Sequence, residues 1–370
     1  MKTIQIKTTP LDDAYPIHIE QGLLAQTGDL IRAIVPTTSA IVISDRNVTV
    51  THGAVVCQSL GKAGYDVTIH EMEASEKNKT LQTIRTIHDA MFKAKLERKS
   101  LLVAVGGGIV GDTAGFAAAT FLRGISLVHV PTTLLAMVDA SIGGKTGVNY
   151  PLPNANAMGK NLIGSFWPPR LVLTDPVTLT TLEPRDFRGG LAECVKHGVL
   201  ADADLLDWLE QHVDAILGLD LKVLTSLIER SASIKAEVVS EDVRELGRRA
   251  LLNLGHTYAH AMESMSQLGL QHGEAVSIGL HGAMKAAMLT NRIEEGDVTK
   301  VVTLLDRFGL PTRLDSDVDI DQLMVAMTYD KKVEEGRLRL ILPMRLGEAT
   351  IVDDVPQSVI RESWQAILVP

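Results

Sequence analysis

The sequence predicts an α/β N-terminal domain built on a mostly parallel sheet, followed by an all-α C-terminal domain. Three observations predict it. Short apolar runs alternate with helical stretches over the first 180 residues. The clearest run, LLVAVGGG from Leu101, ends in glycines, as a buried strand does where it meets a loop. From about Leu182 the pattern changes to long amphipathic helices. A chain of 370 residues exceeds one comfortable core, so two domains are expected, residues 1–180 and 181–370.

The elements follow in order. TIQIK and YPIHIE read as a paired β entry, with a Pro- and Asp-containing turn between them. AIVISD (Ala40 to Asp45) and the stretch Val67 to His70 read as strands, and Leu81 to Lys95 as a helix. SLVHVP (Ser126 to Pro131) and RLVLTD (Arg170 to Asp175) complete the strand set. Between the last two lies a stretch from Pro131 to Phe166, rich in Gly, Asn, Thr and Lys, that reads as one long functional loop. In the second half DADLLDWLEQHVDAIL and DLKVLTSLIERSASIKAEVVSEDV are amphipathic helices, and RLRLILP after Lys331 and Lys332 reads as a strand.

Composition excludes several classes of function. With 36 basic and 45 acidic residues the net charge is -9, which argues against a nucleic-acid or membrane surface. Two distant cysteines, Cys57 and Cys194, imply no disulfide framework and fit a reducing cytoplasm. The N-terminal stretch has no long apolar core, so no signal peptide is expected, and no apolar run reaches membrane-spanning length.

Two stretches carry chemistry. In VAVGGGIVGDTAGFAAA, Gly106, Gly107, Gly108 and Gly111 join a strand to a helix. Such glycines let backbone N–H groups approach a pyrophosphate at a helix N-terminus. The spacing is not the standard dinucleotide fingerprint, and close packing is the alternative reason for glycine here. In RALLNLGHTYAHAMESMSQLGLQHGE, Arg249, Asn253, His256 and His260 stand four, three and four residues apart, which predicts one face of one helix. Gly269 is expected to end that helix, so that His272 on an antiparallel partner meets His256. Two imidazoles suit a borderline ion such as zinc, and Glu193 in RGGLAECVKHG offers a third ligand. HTYAH lacks the glutamate of the HExxH metalloprotease motif. The cations Arg123, Lys145 and Lys160 in and beside the long loop, several in an acidic chain, suggest a phosphate- or carboxylate-bearing substrate, with Lys196 and Lys235 nearby in sequence pattern and the site in the cleft between the domains.

Taken together, GGGIVGDTAGFAAATFLRG, VPTTLLAMVDASIGGKTGVN, GKNLIGSF, GLAECVKHG, RALLNLGHTYAHAMES and HGEAVSIG resemble the 3-dehydroquinate synthase family of sugar-phosphate cyclases. The resemblance spans nearly the whole chain and implies a Rossmann-like sheet, similar to that of glycerol dehydrogenases. It implies Glu193, His256 and His272 as ligands of zinc, or of cobalt. It implies NAD contacts at Asp45, Asn47, Glu76 and Lys79, at Gly108, Ile109, Val110, Gly111 and Asp112, at Thr132, Thr133, Lys145 and Lys160, and at Thr178, Leu179, Thr180 and Thr181. Substrate or catalytic positions are implied at Arg123, Asp139, Lys145, Asn161, Lys196, Lys235, Glu245, Arg249, Asn253 and His260, and at Lys331 or Lys332. His260 is then an active-site residue and not a ligand. The implied reaction takes 3-deoxy-D-arabino-heptulosonate 7-phosphate to 3-dehydroquinate and phosphate. It proceeds by transient oxidation, elimination, reduction and aldol closure, in a cytoplasmic homodimer. Departures are a longer loop between Pro151 and Gly159, Tyr150, Cys194, Ala259 and the SEKNK string near Glu76. Alternatives are a sibling cyclase, a polyol dehydrogenase that accumulates NADH, and a binding protein without the metal triad.

Overall fold

The computed structural model describes residues 14–152, 158–245, 247–315, 318–328, 333–334 and 337–369. The first half runs β1 (Ile17–Ile19), α1 (Thr27–Ile34), β2 (Ser39–Asp45), α2 (Ala54–Lys62), β3 (Asp66–Met72), α3 (Leu81–Lys93), β4 (Leu101–Gly106), α4 (Gly108–Thr120), β5 (Ser126–Pro131), β6 (Lys145–Pro151), β7 (Met158–Phe166) and β8 (Leu171–Thr174). Six of these strands form one parallel sheet in the order β1-β8-β5-β4-β2-β3.

Side-chain alternation shows why these strands are apolar throughout. Ala40, Val42, Leu101, Val103 and Val105 pack on one face with Ile31 of α1 and Val56 and Leu60 of α2. Ile41, Ile43, Leu102 and Ala104 pack on the other, with Ile84, Ile87 and Met91 of α3 and Val110, Ala114 and Ala117 of α4. Both faces of the sheet are therefore covered, and a strand with one polar face would leave that face in an apolar layer. The chain runs from β2 out to the edge strand β3 and returns past β2 to β4, so strand order reverses between β2 and β4. The crevice at the carboxyl ends of these two strands is where an open α/β sheet binds its ligand.

One reading of this half changes. The stretch from Pro131 to Phe166 is no continuous loop: Ala136–Ala140 makes a helical turn, and β6 and β7 form an antiparallel hairpin. Val148 of that hairpin packs in the same core layer as α4. β1 pairs in parallel with β8, while TIQIK and residues 153–157 of the loop after Pro151 lie outside the described residues.

The second half contains α5 (Pro184–Ala201), α6 (Ala203–Leu217), α7 (Leu221–Glu241), α8 (His256–Glu263), α9 (His272–Leu289), α10 (Glu295–Arg307), α11 (Ile320–Thr328) and α12 (Gln357–Ile367). It is helical but not purely so, since Leu340–Arg345 and Glu348–Val352 form an antiparallel pair. Its core takes in Leu134, Met137 and Val138 from the turn after β5, so the loops at the sheet's carboxyl edge are packed directly on the helices. Among the described residues no helix is long and apolar enough to cross a membrane.

Candidate active site

Arg249, Asn253, His256 and His260 do not share one helix. Arg248–Asn253 is a separate 3-10 segment, and Gly255, at φ 78°, turns the chain before α8 begins at His256. A side chain at Gly255 would meet the backbone N of Leu280 at 2.9 Å, so the turn admits only glycine. α8 ends at Glu263, six residues before Gly269. Glu263 lies by His272 and Gly255 by Gly279, which makes α8 and α9 antiparallel as expected. A second close approach joins α5 to α9, because a Cβ on Gly273 would stand 2.2 Å from the carbonyl oxygen of Gly189. These contacts draw together three helices that carry one residue each of the Glu193, His256 and His272 set.

In that set one ligand atom from each residue lies within 4.8 Å of the others. Glu193 Oε1 is 3.5 Å from His256 Nε2 and 3.6 Å from His272 Nε2. His256 Nδ1 faces the carbonyl of Leu254 at 3.1 Å, and His272 Nδ1 faces Glu263 Oε1 at 3.1 Å. Both partners accept only, so each Nδ1 donates and each Nε2 is left to ligate. Glu193 Oε1 is buried with no hydrogen-bond donor among the described residues. Two imidazole lone pairs and an orphaned carboxylate oxygen form a donor set suited to zinc. Burial and the neighbouring Lys196 push His256 well below its ordinary pKa. Burial opposes charge on His272 also, but the neighbouring carboxylates of Glu193 and Glu263, the second hydrogen-bonded to its ring, outweigh it and hold its pKa up to about 10. A cation at the shared position would replace that proton.

Positive charge surrounds the triad. Lys196, 1% exposed, pairs with Glu193 one helical turn earlier. Lys235 of α7 pairs with Asp139 at 2.8 Å, and burial lowers its pKa. Asp139, Glu193 and His197 also offer ligand atoms within 4.8 Å of one another, but these two ammonium groups already supply cationic charge there. Arg249 donates to the carbonyls of Gly143 and Val243, and Lys145 pairs with Glu245, which accepts from Asn253 Nδ2 at 2.9 Å. Lys160 pairs with Glu263 at 3.0 Å. His260 lies edge-on to His256, with ring centroids 5.6 Å apart. Arg123 is exposed and, among the described residues, makes no ion pair with this set. Lys331 and Lys332 lie outside the described residues.

At the sheet edge, Gly107 precedes α4 without a side-chain cap, which leaves first-turn N–H groups of Gly108, Ile109 and Val110 for an anion. Val110 itself is core, and Gly111 packs on His129, whose pKa burial lowers to about 4. Asp45 closes β2 by accepting from Asn47 N and Ala74 N. Thr132 N is held by Gly106 O, and Thr133 Oγ1 caps Ala136 N. Of the 3-10 segment Pro176–Thr181, Thr178 and Leu179 turn inward, Thr180 is exposed, and Thr181 meets His52 at 2.7 Å. Lys79 is buried and spans Asp112 and Asn161, each at 2.5 Å.

Two residues escaped sequence reasoning. Asn149 donates to Glu76 Oε2 at 2.8 Å and accepts from Asn161 N at 3.0 Å. Glu263 joins His272 to Lys160. Burial would raise the Glu263 pKa, but the hydrogen bond and charge of His272, together with Lys160, hold it well below the usual carboxylate range. The sequence signals were faint: a polar residue inside TGVN and an acid at the end of HTYAHAME.

Fold and donor set define an α/β protein with a candidate metal site and, at its strand-order reversal, a glycine turn of the kind that can face a nucleotide. Comparison narrows the class. A family profile for the 3-dehydroquinate synthase N-terminal region matches residues 69–189, and one for its C-terminal region matches residues 190–333. The chain is 43% identical over 373 residues to 3-dehydroquinate synthase of Synechococcus sp., covering 100% of both proteins. Among solved structures, 2-epi-5-epi-valiolone synthase of Streptomyces hygroscopicus subsp. jinggangensis, with NAD+ and Zn2+ bound, is 28% identical. It superposes with a TM-score of 0.88, covering 99% of each chain. A 2-deoxy-scyllo-inosose synthase, complexed with carbaglucose-6-phosphate, NAD+ and Co2+, is 30% identical with a TM-score of 0.85. It covers 96% of this chain and 97% of its own. The chain belongs to the 3-dehydroquinate synthase family.

Proposed function

We infer that the protein is a phosphate-eliminating carbon–oxygen lyase of the shikimate pathway, which converts 3-deoxy-D-arabino-heptulosonate 7-phosphate to 3-dehydroquinate and phosphate. The observation that carries this reading is full-length identity of 43% to a 3-dehydroquinate synthase, in a chain that converges Glu193, His256 and His272 beside a cluster of buried cations. Bound NAD supplies transient acceptance and return of a hydride, and bound zinc supplies Lewis acidity at the reacting hydroxyl.

The chain's own residues do the rest. Glu193, His256 and His272 hold the metal. The first turn of α4 faces the pyrophosphate, Asp45, Asn47 and Glu76 face the adenosine end, and Lys79 holds Asp112 and Asn161 in place. Lys196 and Lys235, each buried against a carboxylate, stabilise negative charge that develops on the substrate. Arg249, Asn253 and His260 bind the phosphate region. Lys145 stands ion-paired to Glu245, so an anionic substrate exchanges with that carboxylate, while Lys160 lines the site paired to Glu263. The family resemblance adds Arg123, exposed here, and one of Lys331 and Lys332, which lie outside the described residues, as further substrate contacts. The division lies near residue 180, with nucleotide on the α/β side and metal and substrate on the helical side.

We place the enzyme in the cytoplasm, in keeping with two free cysteines, and as a homodimer. Exposed Tyr150, Met158, Ile163 and Phe166 on the β6–β7 hairpin support the dimer. A monomer in sedimentation would refute it. The catalytic reading is tested by phosphate release from the heptulosonate phosphate with catalytic NAD and zinc. Equal phosphate and dehydroquinate, with no net NADH, is the expected outcome. Stoichiometric NADH would make the protein a dehydrogenase. Because two sibling cyclases superpose so well, release from another sugar phosphate alone would place it with them.

A further inference from the structure

Metal-bound histidines are oriented by what their other ring nitrogen meets, and the two imidazoles of this site differ in that respect. His256 Nδ1 faces a backbone carbonyl two residues away, fixed by the turn at Gly255. His272 opens α9 with its side chain 36% exposed, and among the described residues no backbone acceptor holds its Nδ1. Glu263 takes that place at 3.1 Å, from the last turn of α8, with its side chain only 4% exposed. The same oxygen, Oε1, accepts from Lys160 Nζ on β7 at 3.0 Å. A buried carboxylate needs such compensation, and Lys160 supplies a full charge from a residue 103 positions away.

Resting on the metal reading above, we propose that Glu263 is a positioning residue of the metal centre. It fixes His272 with Nε2 toward the ion and ties that ligand to Lys160 of the β6–β7 hairpin. Glu263 does not itself ligate. Removing it frees the His272 ring to rotate and to exchange tautomers, and severs the link between hairpin and ligand. The position of the hairpin, which also carries Asn161 and Lys145, is then coupled to metal occupancy.

The test uses the full chain and the variants Glu263→Gln, Glu263→Ala, Lys160→Met and Glu263→Ala/Lys160→Met. Zinc affinity is measured by chelator competition and the Co2+-loaded protein by visible absorption, with circular dichroism and thermal melting reporting the fold. Glu263→Ala is expected to lose about 10–100-fold in zinc affinity. Glu263→Gln keeps an acceptor oxygen and is expected to lose less, while still shifting the Co2+ bands. Lys160→Met should weaken zinc in the parent chain and have no further effect once Glu263 is gone. Should Glu263→Ala not fold, Glu263→Gln decides. Unchanged affinity and unchanged Co2+ bands in a folded variant overturn the positioning role. Full additivity of the two substitutions overturns the tie to Lys160. If the parent chain itself binds no zinc, the metal reading falls and this proposal with it.

Discussion

Replacing Gly273 by alanine adds one methyl group at the contact that brings Glu193 and His272 together. The added Cβ would stand 2.2 Å from Gly189 O, 2.3 Å from its Cα and 2.5 Å from its carbonyl carbon. Ordinary contact begins at 3.4 Å, so α5 and α9 have to part by 3.4 − 2.2, about 1.2 Å. All three atoms belong to helix backbone, and no side-chain rotation can relieve them. Alanine is the better helix former by up to ~1 kcal/mol, but overpacking of this kind costs about 1–3 kcal/mol. The larger consequence falls on the site. His272 precedes Gly273, and metal–ligand distances tolerate only about 0.2 Å, so a shift several times larger detaches one ligand from the set. Gly273→Ala is therefore expected to fold, melt a few degrees lower, and lose at least tenfold in zinc affinity by chelator competition. A variant with parental zinc affinity would refute the claim that the glycine contact sets the ligand geometry.

His256→Ala should lose zinc and turnover together, and an active, zinc-replete variant would remove His256 from the ligand set. Asn149→Leu leaves the Glu76 carboxylate and the Asn161 N–H without their shared partner, at a cost of roughly 1–3 kcal/mol. NAD Kd by calorimetry should then rise about tenfold, and no change would mean that Glu76 does not face the nucleotide. His129 supplies a pH signature. Its pKa is about 4 in the fold against 6.5 when unfolded, so its contribution is present above pH 6.5 and is lost as pH falls toward 4. Between pH 7 and pH 5 the parent should lose about 2 kcal/mol more stability in urea unfolding than His129→Gln, and parallel pH profiles would refute this.

The sheet was legible because its strands are buried on both faces. Ile41 and Ile43 point to one layer of helices while Ala40 and Val42 point to the other, and the resulting apolar runs need no partner to be recognised. The β6–β7 hairpin was not legible, for the opposite reason. Its strands carry Lys145, Asn149, Lys160 and Asn161, and its close approach depends on Gly147 facing Gly164, a composition that reads locally as loop. The single helix expected over Arg249 to His260 failed at Gly255, where the conformation is set by the backbone of α9 and not by neighbours in sequence.

Spacing had the same limit in the site. Separations of three and four residues pointed toward His256 and His260, yet the contacts that hold the candidate site residues come from distant segments. Lys160 reaches Glu263, Lys79 reaches Asn161, and Arg249 reaches Gly143. Each of these contacts joins the hairpin or the turn beside it to another part of the site. On the function proposed above, the hairpin is the segment through which the nucleotide end and the metal end are held in one arrangement. Loss of any one contact should therefore act on both ends, and binding of metal and nucleotide is better measured together than apart.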